Sequence, residues 1–457
     1  MQERFDLAPT KVNEDLLRFP LHTPLWFWFA IVVLGAILGA GVIAFTFMVI
    51  VGLQPLGYNN TTYWAILITN FVFWVGISHA GVMISAILRL SQAEWRRPVT
   101  RAAEVLTVFA LATAAIFPLI HTGRPWRLVY WFMPYDFARG IFPDVRSALI
   151  WDPSAIFTYL TSSALFVFIA LVPDLAVARD RTTGWRHRFY ALLAMGFHGS
   201  ARQWRFQAIA GILLSALILP VFVSVHTIVS FDFSMALVPG WHTTVFGPYF
   251  VIGAVHSGVS AVATLMAVLR RIFHLEQYIT PDHFDALGRL LVVVATAWLF
   301  FFMMDFYFGI FSQEPMELAV WQLRMFQMPY TFLFIVFIFA AYLIPVPIWL
   351  FRKARRNIAV MFWTSLLVNI GMWLERYILI VPPLSVKQPF PFTWNEVYQP
   401  QPIEFVLVAF SFALVCSGIL LFSKLFPIIP LFDIKEGQIL KRTVRIGRAT
   451  VPAVIRE

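Results

Sequence analysis

Apolar residues in this chain gather into long unbroken runs, not into the stripe of a surface helix or the alternation of a half-buried strand. Ten runs approach or exceed the ~20 residues a helix needs to cross a hydrocarbon layer. They lie near 25–50, 63–88, 102–121, 148–173, 206–230, 246–269, 286–308, 329–350, 358–382 and 402–425. Polar connections separate them, the longest being the basic stretch at 174–205. The pattern predicts an all-α polytopic membrane protein with about ten transmembrane helices. The first 24 residues are of mixed charge and lack a basic segment followed by a short apolar one, so no cleaved signal peptide is expected.

Composition agrees: 60% of the 457 residues are hydrophobic and 13% charged, with mean hydropathy +0.76. A soluble domain carries roughly 25% charged residues. The single cysteine, Cys416, lies inside the last run. One thiol can form neither a disulfide framework nor the several-cysteine ligand set of an iron–sulfur cluster within this chain.

A net charge of +10 could suggest nucleic acid, but its placement answers to topology. The amino-terminal segment, the even-numbered loops and the tail (426–457), counted with the run ends that border them (Arg289 and Lys424), hold 27 of the 34 Lys and Arg, against 6 in the odd-numbered loops; Arg376 falls within the ninth run. By the positive-inside rule both termini are expected to be cytoplasmic, and the basic loops to face anionic lipid, with no nucleic acid as partner. The third loop runs against this bias with Arg124, Arg127, Arg139 and Arg146.

A weak internal echo links the second and sixth runs. Ser78-His79-Ala80-Gly81 leads to Arg89, and Val255-His256-Ser257-Gly258 leads to Arg270-Arg271; Trp151-Asp152 and Trp321-Gln322 form a fainter pair. The expected organisation is two similarly oriented four-helix bundles, spans 2–5 and spans 6–9, flanked by spans 1 and 10. The first bundle would comprise 63–173 and 206–230, and the second 246–382, with 1–24 as a separate amino-terminal segment.

The densest chemistry brackets the third loop. Ile120 to Trp126 reads IHTGRPW, and Trp151-Asp152-Pro153 opens the fourth run. Alternating directions bring His121, Arg124, Asp152 and Arg376, the last beside Glu375, to one membrane depth at the outer face. Acceptors for hydroxyl protons, a cation and apolar walls suit a quinol head group. An Asp–His pair can take protons near neutral pH. The bland readings are that Asp152 caps its helix with Pro153 at the first position, and that Arg124 meets lipid head groups. Glu104, His79, His256, His226 and Asp305 form a looser polar trail that could relay protons or simply bond helices together. A transmembrane haem would want facing histidines, whereas these lie at dissimilar expected depths. A secondary transporter also fits repeats and buried polar groups, but would concentrate them near the midplane.

The SHAG segment, the HTGRPW loop and Met372 to Tyr377 (MWLERY) together resemble the membrane subunits of the NrfD/PsrC family over roughly residues 60–380. Ten spans and the Trp-Asp-Pro start of span 4 resemble most closely the quinol-binding subunit of alternative complex III. The resemblance implies a menaquinol site near the outer face, with His121 and Asp152 as the catalytic pair and Arg376 as a third member. Glu104, His79, His256 and Asp305 would supply the proton path. It implies as partners c-type haem subunits, a periplasmic iron–sulfur subunit, a paralogous membrane subunit and a terminal oxidase, in a bacterial inner membrane. The shorter anchors of polysulfide and nitrite reductases belong to the same family.

Overall fold

A computed structural model describes residues 9–59, 61–127, 140, 148–386, 397–440, 443–446 and 449–452. Arg139 and Arg146 of the third loop lie outside the described residues, as does the side chain of Arg127. Ten helices are long and apolar enough to cross a membrane. They are span 1 (Leu25–Val51), span 2 (Ala65–Leu90), span 3 (Thr100–His121), span 4 (Ala148–Asp180) and span 5 (Ala201–Ser234). The others are span 6 (Phe246–Ile272), span 7 (Pro281–Phe311), span 8 (Tyr330–Leu350), span 9 (Ile358–Ser385) and span 10 (Pro402–Leu425). The expected all-helical architecture stands; a two-stranded ladder, Thr443–Ile446 with Ala449–Pro452, is confined to the tail.

Several helices overrun their apolar runs. Spans 4 and 5 extend to Asp180 and back to Ala201, so the basic stretch between them is short and carries the helix Gly184–Leu193. Ser200 caps span 5 in a reciprocal pair with Gln203, which is why helix starts ahead of the apolar residues. The loop before span 8 is largely the helix Pro315–Phe326, with the Glu314 side chain accepting from the Glu317 amide at 2.7 Å. Spans 2 and 8 each contain a π-helical turn, at Met83–Ile87 and Phe339–Leu343.

Span 2 packs on spans 3 and 5, and spans 3–4 and 4–5 pack in turn, closing one ring of contacts. Spans 6, 7, 8 and 9 close a second, and the rings meet where span 2 touches spans 6 and 9. Span 10 packs on spans 1 and 3. In its most apolar window span 2 is 88% buried and span 1 only 17%, so span 2 is central and span 1 leaves its surface to lipid.

The even-loop end gathers the chain's terminal segments: Lys424 Nζ donates to the Phe19 carbonyl at 2.8 Å, and Arg97 to Glu436 at 2.7 Å. Inside that end Arg101 pairs with Asp174, whose carboxylate also accepts from the Leu431 and Phe432 amides, docking the helix Leu431–Leu440. At the odd-loop end, Gly57 N donates to Glu404 at 3.0 Å and Thr62 meets Ser385 at 3.3 Å.

Candidate functional site

His121 is the last residue of span 3, 3% exposed, with its ring 5.2 Å from Trp64 and 6.2 Å from Phe71. The chain leaves it through Thr122, whose hydroxyl donates to the Pro118 carbonyl at 2.9 Å, and Gly123 at φ +64°. The positive φ favours glycine there, and a Cβ would also have to displace the end of the Leu53 side chain. Arg124, next in sequence, is exposed.

Asp152 is 7% exposed at the start of the adjacent span 4, and its Oδ1 is buried with no hydrogen-bond partner among the described residues. The helix begins at Ala148, so Asp152 is not its cap and Pro153 is not its first residue. The capping explanation therefore falls, leaving a buried acid whose desolvation is uncompensated at that oxygen. A second carboxylate joins it: Asp232, near the end of span 5, has its own Oδ1 buried without a hydrogen-bond partner among the described residues and feels the charge of Asp152. Sequence reading missed Asp232 because it sits at the edge of its apolar run, where rim residues are common.

Arg376 is placed differently from expectation. It lies nine residues before the end of span 9, about 13 Å inward at the rise of an α-helix. There its Nε meets Glu375 Oε2 at 3.3 Å, its Nη2 donates to the Phe250 carbonyl at 3.5 Å, and its guanidinium covers the Phe250 ring at 4.5 Å. Its charge acts on His79 and His226. The common depth assigned to Arg376 and His121 is thus corrected: span 9 reaches past the position where Arg376 turns into the protein.

His79 and His226 come together where the two rings of helices meet, with ring centroids 4.6 Å apart and both residues fully buried. Their expected difference in depth is also corrected; spans 2 and 5 cross so that the two residues face. His79 Nδ1 lies 2.8 Å from the Val75 carbonyl and Nε2 3.0 Å from that of Phe222, while both His226 nitrogens are buried without a hydrogen-bond partner among the described residues. Direct ring contact leaves no slot for a haem plane between them. Among the described residues no three His, Cys, Asp or Glu converge as a metal site.

The two echoed motifs face one another across this junction. A Cβ at Gly258 would stand 2.8 Å from the Ala80 amide nitrogen, and Gly76 lies against Ser257 and Ala254. The motifs thus serve close helix approach as well as carrying histidines. His256, on span 6, is fully buried 5.7 Å from the Trp298 ring, with both nitrogens lacking a hydrogen-bond partner among the described residues.

A further cluster lies in the second ring of helices. Tyr249 Oη donates to Glu375 Oε1, and Asp305 is buried within reach of the charges of Arg324 and Glu375. Arg324 is 2% exposed and donates to the Ile378 and Leu379 carbonyls at 3.2 and 3.3 Å. Sequence reading counted Arg324 as a loop cation; the helix Pro315–Phe326 folds it inward instead. Glu104, near the even-loop end, accepts from Ser85 of the span 2 π-turn and keeps Oε2 buried without a partner. The predicted proton-path residues therefore divide into separate groups: Glu104; His79 with His226; His256; and Asp305 with Glu375.

The sequence pattern defining the family described as polysulphide reductase, NrfD, matches residues 55–386. A curated relative, a putative membrane subunit of dimethyl sulfoxide reductase from Halobacterium salinarum, is 22% identical over 245 residues, which is 53% of this chain and 52% of that protein. The chain thus spans about half the length of that relative. With most of its length matched, and with ten helices of membrane-crossing length among the described residues, the chain belongs to the NrfD/PsrC family.

Proposed function

We propose that this chain is the quinol-oxidising membrane subunit of a respiratory complex of the alternative complex III type, with menaquinol as substrate. The observation that carries the reading is the pair His121 and Asp152, buried at the odd-loop ends of adjacent helices, with Asp152 Oδ1 unsatisfied. Oxidation of a quinol releases two protons and two electrons. His121 accepts one hydroxyl proton and Asp152 the other, with the Asp232 carboxylate of span 5 close enough to feel the Asp152 charge. The electrons leave to an iron–sulfur subunit docked on the odd-loop face, and c-type haem subunits receive them next. Exposed Arg124 stands at the mouth of this site, where a cation meets the partner or the head group. Arg376 serves the inner histidines, and Glu104, His79, His256, His226, Asp305 and Glu375 are proposed to carry protons. With both termini in the cytoplasm of a bacterial inner membrane, the quinol site faces the periplasm, beside a paralogous membrane subunit.

The test is Asp152→Asn in the purified complex. Quinol oxidation is expected to fall by about a hundredfold, the scale of losing a general base, while the set of co-purifying proteins stays the same. Wild-type turnover in that variant overturns the site assignment.

The dimethyl sulfoxide reductase relative favours a second reading, in which the same site feeds or draws electrons from a molybdenum-containing reductase. Mass spectrometry of the intact complex separates the two by the co-purifying subunits. A chain that purifies alone would point instead to a transporter.

A further inference from the structure

Far from the quinone-site residues, at the even-loop end, the helix Pro9–Leu21 lies across the ends of the spans. It buries Val12, Leu16 and Leu17 and packs on span 10 and the tail helix, leaving Lys11, Glu14 and Arg18 exposed. Between its carboxy-terminal turn, the start of span 1 and the turns after spans 6 and 10 is a cavity of about 460 Å³. Arg18, His22 and His274 line it, and none of the three has a side-chain hydrogen bond or ion pair among the described residues. The one carboxylate in the lining, Asp15, already accepts from Tyr278 Oη at 2.9 Å.

A helix carboxy terminus would ordinarily repel an anion through its free carbonyls. Here Lys424 offsets that: its ammonium donates to the Phe19 and Pro20 carbonyls at 2.8 and 3.3 Å and lies over the Phe19 ring. The cavity wall is aromatic, with Phe19 stacked on Trp26 at 5.4 Å and set against Phe273 at 4.5 Å. Immediately beyond it span 1 presents Leu25, Trp28 and Phe29 at 89%, 59% and 73% exposure, an apolar lane running away from the basic rim.

We infer that this cavity binds the phosphate of an anionic lipid headgroup, held by Arg18, His22 and His274, with the acyl chains lying along the exposed face of span 1. A basic rim alone would suit any phosphate. The aromatic wall and the apolar lane favour the lipid, because only an amphiphile fills both parts. The same end carries most of the chain's Lys and Arg, the surface that faces an anionic leaflet.

The test uses the whole complex in detergent, followed by native mass spectrometry and thermal unfolding. Phosphatidylglycerol is titrated against phosphatidylcholine, and inorganic phosphate is added in a parallel arm. The wild-type complex is expected to retain phosphatidylglycerol in preference and to be stabilised by it. The double variant Arg18→Glu, His274→Ala is expected to bind it about tenfold more weakly, a loss sized by the removal of surface cations, while Lys353→Ala, at an exposed site outside the cavity lining, behaves as wild type. Undiminished retention by the double variant overturns the site. Equal stabilisation by inorganic phosphate overturns the lipid as its ligand.

Discussion

Arg376 shows how a single buried charge fixes its own surroundings. Its guanidinium and the Glu375 carboxylate are 3% and 2% exposed, so neither is solvated by water and each depends on the other. Tyr249 donates to the other carboxylate oxygen, Oε1, and the Phe250 ring covers the cation. Removing one member of such a pair typically costs about 3–5 kcal/mol, whereas replacing both with apolar or neutral groups costs far less. Arg376→Ala is therefore expected to lower the thermal unfolding midpoint of the complex sharply, and the double variant Glu375→Gln, Arg376→Met to recover much of it. A double variant as unstable as the single one would show that Arg376 acts through something other than its pairing with Glu375. The sequence exposed Arg376 as costly but not its partners on span 6, because Tyr249 and Phe250 reach it only through helix packing. Asp232 escaped for a related reason: a carboxylate two residues from the end of span 5 looks like a solvated rim until span 4 is laid against it.

Between elements, the closest approach is made by glycine. Span 2 and span 6 meet with Gly258 against Ala80, and span 2 meets span 3 with Gly81 against the Ala103 carbonyl and Thr107. Small residues let backbones approach and gain dispersion contacts that lipid cannot offer. Gly258→Leu would drive a side chain into the Ala80 backbone, and overpacking of this kind costs ~1–3 kcal/mol. The expected result is a lower unfolding midpoint together with slower quinol turnover, since the shift separates His79 and Phe222 from Arg376 and Phe250. A leucine variant with wild-type stability would mean the helices do not pack at that spacing. The echo of SHAG and VHSG was legible in the sequence, and so were the ten runs, because hydrocarbon length and apolar composition act locally along the chain. The His79–His226 contact was not legible, since it depends on how span 5 crosses span 2. Nor was the inward fold of Arg324, which needs the connecting helix Pro315–Phe326 to turn it from solvent.

At the scale of the whole molecule, charge and packing divide the two ends. The even-loop end is tied together by Arg101–Asp174, Arg97–Glu436 and Lys424 on the Phe19 carbonyl, and it holds most of the basic residues. The odd-loop end holds the His121 and Asp152 site and the exposed Arg124, in the one loop that defies the charge bias. Under the proposed orientation these cations lie on the translocated face, where they work against insertion. That orientation is open to a direct test. In a background where the lone native thiol is removed by Cys416→Ser, single cysteines at Arg124 and Arg202 report the two ends. Both positions are exposed, one after span 3 and the other at the start of span 5. A membrane-impermeant maleimide applied to intact spheroplasts is expected to label Arg124→Cys and to reach Arg202→Cys only after the membrane is opened. The reverse pattern would put the His121 and Asp152 site on the cytoplasmic face, and the electron-accepting partner with it.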